Sequence, residues 1–332
     1  MTIRRRGSTH RGRLWAVFVV VALAASGHGA ESPVAAKGTG ATSEADLIAK
    51  ALQATNGAED VVFAVRALYQ DGHYYANFGH WSLDPNKMMY APGGSRLCKL
   101  NLRTRQLTVL LEDGEGSIRD PQVYYDGHTI LFAYRRAGTH HYHLHEINAD
   151  GSGLTQLTDG PWDDVEPTWL PDGGIAFCST RCARYIGCWL APSAILFRCN
   201  AQGGDLRMLS SGSFTENTPR VLPDGRILYT RWEYVNRDAV SFHHLWTMNP
   251  DGTRPMIFFG NQQPGSVYID AQPIPGSNAV VLAQTLATLL SVERSLSVWG
   301  SYERSQGWLT LLSYYLLFLL VAARLRTPSQ AD

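Results

Sequence analysis

Apolar residues in the middle of the chain come in short runs separated by turns rich in Gly, Asn and Asp. Ile-Leu-Phe at 130–132, Ile-Ala-Phe at 175–177 and Ile-Leu-Tyr at 227–229 each follow an Asp-Gly pair closely. Such runs predict short buried strands. The Asp-Gly pairs predict tight turns, because Gly accepts positive φ. Further along, a leucine stands four residues before an asparagine: Leu97, Leu144, Leu196 and Leu245. The residue just before that asparagine is apolar or sulfur-bearing: Leu100, Ile147, Cys199 and Met248. Residues three apart on a strand point to opposite faces. This strand is therefore expected to pack on both sides, between neighbouring sheets. After the asparagine turn comes a second alternating strand, such as Leu-Thr-Gln-Leu-Thr at 154–158.

These signals recur. Asn101, Asn148, Asn200 and Asn249 are separated by 47, 52 and 49 residues. Pro121, Pro167 and Pro219 precede the Asp-Gly turns by a few residues. A fixed period near 50 residues marks a repeat architecture. With two turns about 20 residues apart, each unit reads as a small antiparallel sheet, a blade of a β-propeller. The two turns are expected at the two ends of that sheet. Four copies are visible. LDPNKMMYA, around Asp84, reads as a degenerate first copy of the Asp-Gly signal, and a fifth unit starts at 270–283.

The pattern PDG-x-I-x-F, followed by x-L-x-x-x-N-x-D-G and a Leu-Thr pair, resembles the propeller repeat of TolB-like periplasmic proteins over roughly residues 75 to 280. YANFGHWSLDPNKMMYAPGGSRLCKLNLRT, IRDPQVYYDGHTILFAYRRAGTHHYHLHEINADG and ILYTRWEYVNRDAVSFHHLWTMNPDG look like exported planctomycete proteins related to the hydrazine synthase alpha subunit, in its middle propeller domain. The expected fold class is all-β, a TolB-like propeller with about four recognisable blades. The resemblance implies six in the intact array. It also implies an exported location. That subunit pairs its propeller with c-type haem regions, which need Cys-x-x-Cys-His. No cysteine here lies in such a motif, so no haem, catalytic residue or other cofactor is carried over.

Outside the repeat, residues 1–30 read as a secretory signal peptide. Five arginines precede the 12-residue apolar run Leu14–Ala25, and small residues follow. That run is short for a bilayer; an uncleaved anchor is the alternative. Residues 31–59 read as a linker, with a short helix in SEADLIAKALQAT capped by Ser43 or Thr42. The propeller is expected over 60–283. Residues 284–332 lose the repeat and contain the apolar segment 308–323. Sixteen residues make a helix of about 24 Å, against a bilayer core of about 30 Å. Three readings stay open for this tail: a membrane anchor with Arg324 and Arg326 on the cytoplasmic side, the product of a shifted reading frame, or a helix capping the open array.

Of 332 residues, 29 are basic and 29 acidic. This balance excludes a basic field for nucleic acid. His141, His143 and His145 of HHYHLH share one face of an ideal strand and are the candidate metal ligands. Against that stands their spacing of about 6 to 7 Å along a strand, and metal binding is the weaker expectation beside ordinary inter-blade positions. Of the five cysteines, Cys178, Cys182, Cys188 and Cys199 are disulfide candidates in an exported chain, and Cys98 reads as a core thiol. Asp163, Asp164 and Glu166 form an acidic run, read by default as a solvated connection. Arg135, Arg136, Arg181 and Arg231 end equivalent strands and are placed to pair with those acids. No nucleophile elbow, P-loop, dinucleotide fingerprint or metalloprotease helix occurs.

The expected function is an exported, non-catalytic scaffold whose blade loops or central mouth bind a protein or a small ligand, with membrane association through 308–323. The alternative is a truncated part of a hydrazine-synthase-like c-type haem oxidoreductase.

Overall fold

Each Asp-Gly and asparagine signal falls at a turn between antiparallel strands. The computed structural model describes residues 48–49, 52–53, 57–67, 79–81, 84–89, 93–187, 189–234, 242–260, 266–274, 277 and 279–282. The signal-peptide reading, the cleavage site, the segment 308–323 and the whole of 284–332 lie outside these residues. Of the short linker helix, Ile48, Ala49, Leu52 and Gln53 are described, and they are helical.

The first blade is three-stranded. It orders β1 (Asp60–Val65), β4 (Ser95–Asn101) and β5 (Leu107–Asp113) side by side. Between β1 and β4 the chain makes a separate hairpin of β2 (His80–Trp81) and β3 (Asp84–Met88). LDPNKMMYA is thus an excursion and not a blade copy, because β1 fills that position, pairing with β4 from Asp60↔Asn101 to Val65↔Arg96. The second blade is β6 (Ser117–Val123), β7 (Thr129–Arg135), β8 (His143–Asn148) and β9 (Thr155–Gln156). The third is β10 (Asp164–Trp169), β11 (Ile175–Ser179), β12 (Ile195–Cys199) and β13 (Arg207–Met208). The fourth is β14 (Glu216–Val221), β15 (Ile227–Trp232), β16 (Phe242–Met248) and β17 (Met256–Phe259), with β18 (Ser266–Val267) parallel to β16. A fifth begins with β19 (Ala271–Pro273) against β20 (Val280–Leu282).

The register corrects one expectation. Thr129 faces Asn148, Ile175 faces Cys199 and Ile227 faces Met248. The Asp-Gly turn and the asparagine turn therefore lie at the same end of each blade. In four antiparallel strands the first and third connections must share an end. Both turns are held locally. The Asp172 carboxylate accepts the Gly174 N–H at 3.0 Å, and the Asn200 side-chain oxygen accepts the N–H groups of Gln202 and Gly204 at 3.0 and 2.8 Å. Gly203 has φ +81, and a Cβ there would overlap the Leu157 carbonyl of the preceding blade. That close approach explains a glycine at this turn.

The repeated leucines do interlock the blades. Leu144 packs with Ile175, Phe177 and Ile195 of the third blade, while Ile147 packs with Leu97 and Leu110 of the first. One blade later, Leu196 packs with Ile227 and Met248, and Cys199 packs back onto Leu131 and Leu144. Each of these side chains is almost fully buried. Burial of a leucine on this scale contributes about 1.5–3 kcal/mol.

At the inner strands the repeat takes a polar form. Pro121, Pro167 and Pro219 sit in bulges of β6, β10 and β14, where a proline's missing N–H breaks the ladder. The residue before each proline has positive φ: Asp120 at 55°, Glu166 at 54° and Thr218 at 50°. Asp270, at the fifth unit, has φ 54°. These residues join the blades in series. Asp120 accepts the Glu166 N–H at 3.1 Å, Glu166 accepts the Thr218 N–H at 2.6 Å, and Thr218 Oγ1 accepts the Asp270 N–H at 3.2 Å. Arg119 clamps the start, bonding Asp120 Oδ2 at 2.5 Å and Glu166 Oε1 at 3.1 Å. The acidic run is thus not a solvated connection: Asp163, Asp164 and Glu166 are 2%, 0% and 7% exposed.

Two outcomes follow for stability. Removing one member of a buried ion pair costs about 3–5 kcal/mol. Glu166→Ala should lose that much in denaturant titration, and Glu166→Gln, which keeps an acceptor for the Thr218 N–H, should lose less. Asp113 ends β5 and caps the following connection. Burial pushes its carboxyl up, but the Tyr134 hydroxyl and the N–H groups of Ala137, Glu115 and Gly116 outweigh that and hold it at about 2. Its folded value lies below the unfolded one, so its contribution is whole above about pH 4 and is lost as pH falls through about 2. Asp113→Ala should lower stability by about 1–3 kcal/mol at neutral pH and flatten this part of the acid limb in pH-dependent unfolding.

Candidate functional site

The end of the propeller opposite the tight turns is built from unequal connections. They span 66–94, which joins β1 to β4 in the three-stranded first blade, and 136–142, 180–194 and 233–241, which join the second and third strands of the blades that follow. Between blades the connections 114–116, 157–163 and 209–215 reach the same end. The segment 180–194 is held by its own bonds. A 3-10 turn at Thr180–Cys182 starts it, Ile186 N–H donates to the Ala191 carbonyl at 2.9 Å, and Ser193 N–H donates to the Arg184 carbonyl at 2.8 Å.

The β2–β3 excursion lies against this segment. Met89 is buried with Ile186, Ala191 and Trp232, and Trp81, Trp189, Phe214 and Tyr234 pack around them. Trp81 and Trp189 lie 6.3 Å apart, Phe214 stacks on Tyr234 at 4.7 Å, and Lys87 Nζ sits 3.8 Å over the Trp81 ring. The cluster draws on the excursion of the first blade and the loops of the third and fourth. Trp81 and Trp189 are half-buried in it, and Tyr185, next to Ile186 in the chain, is exposed.

Beside it three titratable groups converge. Ligand atoms of His80, His141 and Asp163 all lie within 4.8 Å of one another. Asp163 is anchored: its Oδ1 accepts the Tyr142 N–H at 2.9 Å, and its own N–H donates to Thr180 Oγ1 at 2.9 Å. Its other oxygen lies 3.7 Å from His141 Nδ1, a buried nitrogen with no hydrogen bond. The His80 and His141 rings meet edge-on at 4.8 Å. Burial lowers the His80 pKa, with Asp163 opposing and the neighbouring His141 and His140 adding to it. Gly79, at φ +78, lets the excursion approach: a Cβ there would lie 2.5 Å from Pro192 Cγ and 3.3 Å from Asp163 Oδ2.

The three histidines expected to act together have different neighbours. His141 joins His80 and Asp163. His143 Nδ1 is 3.8 Å from Asp164 Oδ2. His145 is 1% exposed between Phe132 and Tyr134, with Nδ1 3.0 Å from the His143 carbonyl, and burial lowers its pKa to about 4. His141 lies before β8 begins, so the alternation of an ideal strand does not reach it. His80 had no motif around it; the one signal was the length of the 66–94 connection.

The described cysteines Cys98, Cys178, Cys182 and Cys199 are free thiols. Cys188, through which a disulfide with Cys178 or Cys182 would staple this loop, lies outside the described residues. Cys178 pairs in register with Leu196 and Cys199 with Ile175, so the strands hold the two thiols apart. Burial pushes Cys178 well up and Cys199 up to about 12, which makes both inert core thiols. Cys182 donates to the Ser193 carbonyl at 3.1 Å. Among the arginines, Arg181 does pair with an acid, Asp164, at 2.7 Å. Arg135 instead bonds the carbonyls of Thr139 and Glu115, and Arg231 lies 4.7 Å over the Trp246 ring. At the tight-turn end a cleft between the second and third blades is lined by Tyr124, Glu146, Gln156 and Trp169. Burial raises the Glu146 carboxyl there.

No family model matches this chain. Over 106 residues the sequence is 34% identical to hydrazine synthase subunit alpha of Kuenenia stuttgartiensis, a match covering 31% of this chain and 12% of that protein. The hydrazine synthase structure from Kuenenia stuttgartiensis superposes with a TM-score of 0.51 at 21% identity, over 64% of this chain and 33% of that one. A putative TolB from Agrobacterium tumefaciens gives a TM-score of 0.41 at 16% identity, over 50% of this chain and 56% of that one. The chain thus spans a small part of the curated relative it matches. Its proline-bulged inner strands and serial antiparallel sheets give the chain a β-propeller fold, similar to that in the hydrazine synthase structure.

Proposed function

We propose that this propeller is an exported, non-catalytic binding scaffold, and that its binding face is the end bearing the unequal loops. The observation that carries this reading is the contrast between the two ends. One repeats the same tight turns in each blade. The other gathers the half-buried Trp81, Trp189, Phe214 and Tyr234 from separate connections, around the buried Trp232 at the end of β15. Loops on a rigid scaffold are where binding surfaces concentrate, and half-buried aromatic residues are frequent anchors of interfaces. The occupant is a protein or a small ligand. Export rests on the signal-like residues 1–30, and membrane association would fall to 308–323. Among the described residues no helix is long and apolar enough to cross a membrane.

A second reading is favoured by the sequence match to hydrazine synthase alpha. Here the chain is the propeller part of a related c-type haem oxidoreductase, with haem supplied by other polypeptide. Fold likeness by itself does not assign that activity.

Cross-linking in intact cells, followed by capture of the tagged chain, tests both. The wild type and Tyr125→Ala, altered at the tight-turn end, should capture the same partner. Tyr185→Ala, at an exposed side chain of the loop-bearing end, should reduce capture roughly tenfold or more with an unchanged melting temperature. Equal capture by all three would move the binding face elsewhere. A captured polypeptide that stains for haem would favour the second reading. Fusing residues 1–30 to a reporter active only outside the cytoplasm tests export; an inactive fusion would overturn it.

A further inference from the structure

We propose that His80, His141 and Asp163 form a binding site for a zinc-class divalent transition-metal ion, one that fastens the β2–β3 excursion to the second and third blades. This goes beyond the scaffold reading and stands whatever the loop face binds. The donor set is two imidazole nitrogens and one carboxylate oxygen, which suits zinc and its neighbours better than calcium or magnesium. Ligands at about 2.0–2.2 Å from a tetrahedral ion lie about 3.3 Å from one another. His141 Nδ1 and Asp163 Oδ2 are 3.7 Å apart, too far for a hydrogen bond and a few tenths of an ångström above that ligand spacing; all three ligand atoms lie within 4.8 Å of one another, so side-chain rotation has to close the widest gap around an ion.

The surroundings have the features of a supported site. Metal ligands are held by a second layer of hydrogen bonds. Asp163 is fixed through Oδ1 by the Tyr142 N–H and through its own N–H by Thr180, leaving Oδ2 toward the imidazoles. His141 presents a buried nitrogen with no hydrogen-bond partner. Gly79 and Pro192 bring β2 close enough for His80 to reach. The three ligands come from the 66–94, 136–142 and 157–163 connections, so one ion would tie the excursion of the first blade to the junction of the second and third. With three protein ligands the fourth position is open to water or to a ligand on the loop face. His140, whose ring centroid is 5.8 Å from that of His80, is exposed beside it.

The test uses the full chain, stripped with a chelator and titrated with zinc chloride by calorimetry. Metal content after gel filtration and the melting temperature with and without zinc are measured alongside. Stoichiometric zinc and a raised melting temperature are expected for the wild type and for His128→Ala, an exposed histidine at the other end. His80→Ala and His141→Ala should each weaken binding at least tenfold and lose the thermal shift, while melting like the wild type in chelator. If one variant fails to fold, the other decides. Cobalt substitution gives an independent reading, since visible absorption of a four-coordinate cobalt site should vanish in both variants. No uptake by the wild type, or equal uptake by the wild type and either folded variant, would overturn the site.

Discussion

The structure depends on a relay of hydrogen bonds at the propeller axis. In β6, β10 and β14 a proline interrupts the ladder, and the residue before it is turned into the left-handed region. For Asp120, Glu166 and Thr218 that conformation costs about 1–3 kcal/mol each. It also aims a short polar side chain at the backbone N–H of the next blade, and there the cost is offset. Hydrophobic packing between blades is strong but has little directional preference. The relay supplies direction, fixing how far each sheet is rotated from the last. Arg119 adds charge at the start and keeps two carboxylates tolerable in a buried place.

The two ends of the blades follow from this arrangement. A rigid axis and interlocked leucines leave the connections free to differ, provided that each returns to its strand. At one end they stay short, and the asparagine turns press onto the preceding blade, as Gly203 does onto Leu157. At the other end no such neighbour limits them. The first blade sends out a hairpin, and the third adds a segment stapled by its own backbone bonds. Aromatic rings and histidines collect where these excursions meet. This is why chemistry concentrates at one end of an otherwise repetitive molecule. The relatives share the fold, but their match to this chain is partial, and the loop-bearing end is where it would acquire its own binding properties.

The amino-acid order alone carries the all-β repeat, its period near 50 residues and the two-sided packing of the strand before each asparagine turn. These are properties of spacing, and Leu144 with Ile147 or Leu196 with Cys199 carry them within four residues. The end of the sheet at which each turn lies was also implicit in strand alternation, although the register was needed to make it plain. Tertiary structure decided everything that depends on separate connections meeting. Asp163, Asp164 and Glu166 are close neighbours in the chain, yet they serve His141, Arg181 and the Thr218 N–H respectively. His141, His143 and His145 look like one group by spacing, yet only His141 meets a second histidine and a carboxylate. His80 had no signature of its own, since its neighbours come from another blade. Local spacing encodes what a strand buries on either side; the packing of successive blades and their loops brings residues 80, 141 and 163 within reach of one another.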